Sequence, residues 1–337
     1  MTPHDLPGRK GPGEPSFLDG AVAVCIAQSE RSGNLLPHAL AVTGQLGVAP
    51  TLVHVLDTGR AKKQRADPIE WELRRREARE ALQRVAEACG PAGQNIDADL
   101  IEGRAAEQIC RWARDRAADL VVLGTSGDDE PSTSHLGTTV RDVIDAASVS
   151  ILLVPPTASD TVPVRYRRIL VPLDGSSPAE SVLPHAIRIA EAHHAEVLLV
   201  HVASIPELTE VGPAEAEDVE LCERLAGRNE RVARQYLDRL KTRVARHGIA
   251  VRAVVLRGDV RSQLVKLVSG DEVYLVLLSA KGRSNRSDVP YGSVTSYLMT
   301  RVAVPILIVR SEPPLATGYR PAAIGHTEAR LPNRAMS

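Results

Sequence analysis

The chain repeats itself, and that repeat constrains its fold more than any other feature. Val24-Cys-Ile-Ala-Gln-Ser29 stands 147 residues before Val171-Pro-Leu-Asp-Gly-Ser176. The same offset carries Leu36-Pro37-His38-Ala39 onto Leu183-Pro184-His185-Ala186, and Leu52-Val53-His54-Val55 onto Leu199-Val200-His201-Val202. Further along the offset is 155: Gly103 meets Gly258, Gly127 meets Gly282, and Gly137 meets Gly292. The eight extra residues enter before Gly258, within a long charged stretch of helical character. Whatever one half folds into, the other half folds into as well, and 337 residues suit two domains of ordinary size.

Each copy alternates short apolar runs with longer amphipathic stretches. In copy two the runs are Ile169–Leu173, Val197–Val202, Ala250–Leu256, Val273–Leu278 and Val304–Val309. They are β-branched and nearly continuous, as strands covered on both faces must be. Helices are predicted between them over Ala179–Ala192 and Glu220–His247; the second carries Leu221, Leu225, Val232, Tyr236, Leu237, Leu240 and Val244 at helical spacing. Copy one has its strands at Ala21–Ile26, Thr51–Leu56, Asp97–Ile101, Leu120–Leu123 and Ile151–Val154. Strand–helix alternation predicts right-handed crossovers and a parallel, doubly wound α/β sheet in each copy. The boundaries fall at a tail over 1–18, a first domain over 19–156, a linker over 157–165, a second domain over 166–311 and a tail over 312–337.

Composition narrows the partners. A net charge of −1 gives no reason to expect nucleic acid or an anionic membrane, and 3% aromatics is too few for base-stacking platforms. The four cysteines (Cys25, Cys89, Cys110, Cys222) are scattered with no CxxC, which points away from zinc and disulfides. No apolar run approaches the ~20 residues of a membrane span. Residues 1–15 lack the apolar core of a secretory signal, so a cytoplasmic location is expected.

The chemistry lies after the fourth strand of each copy. Copy one has Gly124-Thr-Ser-Gly127, nine residues, then Gly137-Thr138; copy two has Ser279-Ala-Lys-Gly282, nine residues, then Gly292-Ser293. A strand ends, a glycine loop follows, and a helix begins at Thr138 or Ser293. Free amides at a helix start favour anions, and glycines let phosphate oxygens reach the main chain. The carboxyl ends of strands are also where open α/β sheets bind ligands. Taken alone, glycines at strand ends are more often explained by tight turns.

With the opening strand ending Val-Pro-Leu-Asp174-Gly-Ser and a second strand ending Val-His-Val, the G-x2-G-x9-G-[S/T] pattern resembles the universal stress protein family. The resemblance covers Ala21–Val154 and Tyr166–Arg310. It implies two tandem Rossmann-like domains, similar to adenine nucleotide alpha hydrolases, each with a five-stranded parallel sheet flanked by helices. It also implies ATP, alone or with Mg2+, or a related adenine nucleotide, with the adenosine near the first strand's Asp and the phosphates over the glycine loop. Carried over residue by residue, the nucleotide-binding set is Pro172, Asp174, Val202, Gly258, Leu278, Ser279, Gly282, Arg283, Gly292, Ser293 and Val294. Lys281, Arg283 and Arg286 add positive charge, while Ser279 stands where the family has its first glycine. Family members often pair through their last strands, which would set Ile151–Val154 beside Val304–Val309; further homodimerisation stays open.

Copy one keeps its glycines but is degenerate. Its Gly124, Gly127, Gly137 and Thr138 are in place, yet Ala27 replaces the Asp, Gln28 replaces the next glycine, and Asp128-Asp129-Glu130 sits where phosphates would lie. Like charges there oppose an anion, although an acidic run that merely faces solvent reads the same in sequence. ATP is therefore expected mainly in copy two.

Other conspicuous residues have plainer readings. His38 and His185 are expected in partial burial or local hydrogen bonds, Trp71 and Trp112 as packing anchors, and Arg74-Arg75-Arg76 on a solvated, ion-paired face. His54 and His201 end their strands with no partner spaced as a triad, and no catalytic or metal-binding residue is assigned. There is no GxxxxGK[ST] loop, no HxGH and no GxGxxG, so any hydrolysis would be slow. Three functions stay open: a nucleotide-binding regulator of the stress response, a nucleotide-free interaction scaffold, and a slow ATP hydrolase.

Overall fold

Runs such as Leu-Leu-Val-His-Val are stable where both faces of a sheet are covered, and that is where the chain places them. The computed structural model describes residues 20–27, 34–44, 48–57, 68–89, 96–125, 136–156, 158, 163–205, 216–270, 272–283 and 290–310. The first repeat runs β1 (Ala21–Cys25), α1 (Leu35–Thr43), β2 (Pro50–Asp57), α2 (Pro68–Cys89), β3 (Ala98–Gly103), α3 (Ala105–Asp115), β4 (Ala118–Gly124), α4 (Thr138–Ala146) and β5 (Ser150–Val154). The second runs β6 (Arg168–Pro172), α5 (Ser177–Glu180), α6 (Leu183–His193), β7 (Glu196–Ala203), α7 (Ala216–Ala245), β8 (Val251–Arg257), α8 (Val260–Gly270), β9 (Leu275–Ser279), α9 (Ser293–Met299) and β10 (Ile306–Val309). One difference from the sequence pattern is the single helix over Ala179–Ala192, which is broken into α5 and α6. Pro184 in the first turn of α6 cannot donate a helical hydrogen bond, so the chain restarts there.

Within each repeat the strands are parallel and follow the order third-second-first-fourth-fifth, the doubly wound Rossmann-like arrangement. The two sheets join into one of ten strands, in the order β3-β2-β1-β4-β5-β10-β9-β6-β7-β8. The junction is antiparallel and pairs Leu152 with Leu307. Those two leucines are equivalents at the 155-residue offset, so a pseudo-twofold axis passes between them. Pro305 precedes β10, and its carbonyl accepts from the Val276 amide at 2.9 Å.

Two apolar layers flank the sheet. On one face Leu36, Leu183, Ile189 and Leu237 pack with Leu152 and Leu307; on the other Trp112, Val143, Leu264 and Leu298 pack with Ile151 and Ile308. The linker is stapled to both repeats through Tyr166, which is 1% exposed. Its hydroxyl lies 2.9 Å from His38 Nδ1, and its amide donates to His193 Nδ1 at 3.4 Å. His193 Nε2 donates in turn to the Ala41 carbonyl at 2.7 Å. Trp112 is buried and donates to Asp99 Oδ2 at 2.7 Å. Arg74 and Arg75 pair with Glu70 and Glu72 along the exposed surface of α2.

The eight-residue difference between repeats resides in one helix, for α2 has 22 residues and α7 has 30. The buried residues of α7 are Ala233, Leu237, Leu240 and Val244, all in its C-terminal half. No described helix is long and apolar enough to cross a membrane.

Candidate functional site

The switch point of the second repeat lies between β6 and β9, since the chain leaves β6 toward β7 and reaches β9 on the other side. β6 and β9 pair at only two positions, Ile169 with Leu275 and Leu170 with Val276, and then part. Pro172 explains the parting. Leu173 donates to Val200 on the β7 side at 2.8 Å, so strand alternation aims the missing Pro172 N–H at β9. The gap widens into a crevice of about 610 Å³ at the carboxyl ends of the strands, well within the usual range of small-molecule sites.

Asp174 is the organising group. Its Oδ1 accepts from the Ser176 amide at 2.9 Å and the Ser176 hydroxyl at 2.6 Å. Its Oδ2 accepts from the Arg283 amide at 2.7 Å, and the Arg283 guanidinium donates to the Asp174 carbonyl at 3.1 Å. Burial raises the carboxyl, but the Ser176 donors, the Arg283 amide and the Arg283 charge together outweigh it and hold Asp174 below the ordinary carboxylate range. It is an anion at neutral pH, tying the loop after β6 to the glycine loop after β9.

Gly282 is required by that tie: a Cβ built on it would stand 2.6 Å from Asp174 Oδ2. Gly292 is different, because a Cβ there would meet only the Gly282 amide at 3.7 Å and the Ala280 carbonyl at 3.8 Å. Those are ordinary contacts, so no close approach among the described residues requires a glycine at 292. The Gly292 amide donates to Ala280 at 2.8 Å and Gly292 caps α9, leaving the Ser293 and Val294 amides at the helix start. The Ser279 hydroxyl bonds back to the Lys281 carbonyl, and Thr295 Oγ1 donates to the Ser279 carbonyl at 3.1 Å. Serine at position 279 is thus turned onto its own loop.

Of the residues expected from the sequence, Pro172, Asp174, Val202, Leu278, Ser279, Gly282, Arg283, Gly292, Ser293 and Val294 all line this one crevice. Gly258 does not. It sits beyond β8 with φ +115°, a conformation that favours glycine, and its amide donates to Ala203 at 3.2 Å, so it shapes the rim. Arg286 lies outside the described residues. Arg228, Asn229, Val232, Ala233, Tyr236 and Arg239, all on α7, also line the crevice and carry no motif. Among the described lining residues Asp174 is the one carboxylate, against Arg228, Arg239, Lys281 and Arg283.

His201 Nδ1 donates to the Leu173 carbonyl at 2.7 Å, and His54 Nδ1 makes the same bond to Ile26 at 2.6 Å. Both histidines fasten the end of a second strand to the loop beside it. In the first repeat Gly137 donates to Thr125 at 3.1 Å and Thr138 opens α4, the same backbone path as in the second. Gly124 ends β4. Gln28, Gly127 and the acidic run Asp128–Glu130 lie outside the described residues.

Fold and crevice together define a tandem Rossmann-like α/β protein with a crevice of small-molecule size at the switch point of its second half. The chain belongs to the universal stress protein family, whose model matches it twice, over residues 20–155 and 165–310. It is similar to universal stress protein MJ0577 of Methanocaldococcus jannaschii, with 24% identity over 156 residues, 44% of this chain and 96% of that protein. It is also similar to universal stress protein Rv2623 of Mycobacterium tuberculosis, with 24% identity over 239 residues, 68% of this chain and 74% of that protein. The crystal structure of a universal stress protein from Archaeoglobus fulgidus shares the fold, with a TM-score of 0.63 at 18% identity, covering 88% of this chain and all of that one.

Proposed function

We propose that the crevice of the second repeat binds an adenine nucleotide, ATP foremost, and that occupancy makes the protein a nucleotide-responsive regulator of the stress response. The observation that carries this reading is an excess of positive charge around a glycine loop at the strand ends. Among the described lining residues four are basic and one is a carboxylate, and Gly292 itself lines the crevice, where its main chain can meet an anion. Lys281, Arg283 and the amides of Ser293 and Val294 would hold the phosphates. Asp174, which retains lone pairs beyond its present bonds, would meet the sugar end. Mg2+, where it accompanies ATP, would be carried by the phosphates.

A regulator needs differential affinity for two states rather than turnover. The crevice agrees with that: Asp174, the one carboxylate among its described lining residues, is held below the ordinary carboxylate range by Ser176 and Arg283, which makes it a weak base. The test is nucleotide extracted from freshly purified protein and identified by mass spectrometry, with thermal unfolding in excess ATP beside it. A ligand at one hundred times its Kd stabilises the folded state by about 2.7 kcal/mol. Bound adenylate and a raised Tm support the reading. Nucleotide-free protein with an unmoved Tm refutes it and leaves the interaction scaffold standing.

A further inference from the structure

The crevice has a second wall that the glycine motif does not describe. Asn229, Val232, Ala233 and Tyr236 lie three and four residues apart on α7, on one helical face, and all line the crevice. Val232 remains 52% exposed there, a large aliphatic group left open. The Tyr236 ring meets the His201 ring edge-on, with centroids 6.1 Å apart and planes at 72°. His201 is itself fixed by the Leu173 carbonyl. Glu230 pairs with both Arg234 and Arg257, fastening α7 to the end of β8 beside this wall. Facing it are the apolar ends of the strands, Pro172, Val202 and Leu278.

This wall belongs to one repeat. The 155-residue offset runs on through the two long helices: Ala78 and Leu82 of α2 correspond to Ala233 and Leu237 of α7, and all four are buried. By the same offset Val232 corresponds to Glu77 and Tyr236 to Ala81. The first repeat therefore carries a charge and a methyl group where the second carries an aliphatic and an aromatic side chain. The crevice of the second repeat has two chemically distinct sides: α7 brings an apolar and aromatic stretch, Val232, Ala233 and Tyr236, flanked by Arg228 and Arg239, and the glycine loop brings Lys281, Arg283 and the Ser293 amide.

We propose that Tyr236, with Val232 and His201, forms the wall against which the base of the bound nucleotide packs, so that α7 sets affinity for the base and the glycine loop sets affinity for the phosphates. The inference rests on the nucleotide reading above and adds to it which residues select a planar heterocycle over a bare polyanion. The ligand class that fits both sides is a phosphorylated nucleoside; inorganic polyphosphate fits one side only. Tyr236 is a neutral phenol in this setting, because burial and the nearby Glu180 carboxylate raise it.

The test is calorimetric titration of the full chain with ATP, adenosine and inorganic tripolyphosphate. Stacking of a base on an aromatic side chain is strong enough that Tyr236→Ala should weaken ATP and adenosine roughly ten- to a hundredfold, in parallel. Tripolyphosphate affinity should stay unchanged, and Tyr236→Phe should bind ATP like the wild type. Val232→Glu, at an exposed position that tolerates substitution, should weaken ATP by roughly tenfold and guards against a Tyr236→Ala protein that fails to fold. Wild-type protein that binds ATP while Tyr236→Ala and Val232→Glu bind it within twofold of wild type overturns this inference alone. Loss of tripolyphosphate affinity in step with ATP also overturns it, since the wall would then be merely structural. Wild-type protein that binds no ATP overturns both this inference and the nucleotide reading.

Discussion

Replacing Gly282 by alanine strikes the point where two loops meet. The added Cβ would stand 2.6 Å from Asp174 Oδ2, and ordinary contact begins at 3.4 Å, so the carboxylate must retreat by about 0.8 Å. That retreat stretches its bond to the Arg283 amide from 2.7 Å to about 3.5 Å, the limit of a hydrogen bond. A hydrogen bond to a charged group is worth about 1.5–3 kcal/mol, and a domain of this size shifts its Tm by about 2–4 °C per kcal/mol. Gly282→Ala should therefore melt roughly 3–12 °C below wild type. With Asp174 displaced, ATP should bind at least about tenfold more weakly, the equivalent of one such bond. Gly282 does not occupy the left-handed region, so the effect is steric and not conformational. Differential scanning calorimetry and isothermal titration of the full chain provide the two readings. An alanine variant that melts within about 1 °C of wild type and binds ATP equally well would refute the view that Asp174 and the glycine loop are locked together.

Three further outcomes follow from the same structure. Gly292→Ala should leave Tm nearly unchanged, because the new methyl meets nothing closer than 3.7 Å, yet lower ATP affinity about tenfold or more if phosphate lies against that backbone; unaltered binding would move the phosphates elsewhere. Burial, reinforced by Arg188, lowers His185 from 6.5 to about 4 in the folded state. The unfolded chain then binds the extra proton first, so stability is full above pH ~6.5 and falls on acidification toward pH ~4, by about 3 kcal/mol at most from this group. His185→Gln should flatten Tm against pH in that window, and an unchanged slope would remove His185 as the cause. Arg310 places its guanidinium 4.7 Å from the Tyr291 ring centroid and donates to the Ile144 carbonyl at 3.1 Å, joining the second repeat to α4 of the first. Arg310→Ala should cost about 2 kcal/mol in chemical denaturation, and a loss below about 0.5 kcal/mol would deny that joint any weight.

Much of the architecture was legible because it rests on period and repetition. Continuous runs such as Ile151–Val154 announce doubly covered strands, and two offsets locate equivalent residues without any coordinates. The change of offset even placed the insertion in the right stretch, and the structure puts it in the longer α7. The loop glycines were legible through spacing, although what distinguishes Gly282 from Gly292 was not. One is pressed against a carboxylate 108 residues earlier in the chain and the other would meet only ordinary contacts, a difference set by tertiary approach. Gly258, named from its place after the third strand, stands outside the crevice lining in a positive-φ turn, a backbone conformation that spacing alone does not reveal.

The α7 wall was illegible. Val232 and Tyr236 read as ordinary members of an apolar helical stripe, and nothing local tells the residues under the sheet from those that overhang a crevice. Comparison with Glu77 and Ala81 does carry the signal, but only once buried pairs such as Leu82 and Leu237 fix the alignment of the two helices. The break between α5 and α6 was within reach, because Pro184 marks a helix start as clearly as any residue can.

Stoichiometry decides between one working crevice and none or two. Isothermal titration of the full chain with ATP, run in parallel on wild type and Asp174→Ala, should give one site per chain in the first and no measurable site in the second. Two equivalent sites, or one site that survives loss of the Asp174 carboxylate, would contradict the assignment of nucleotide to the second repeat.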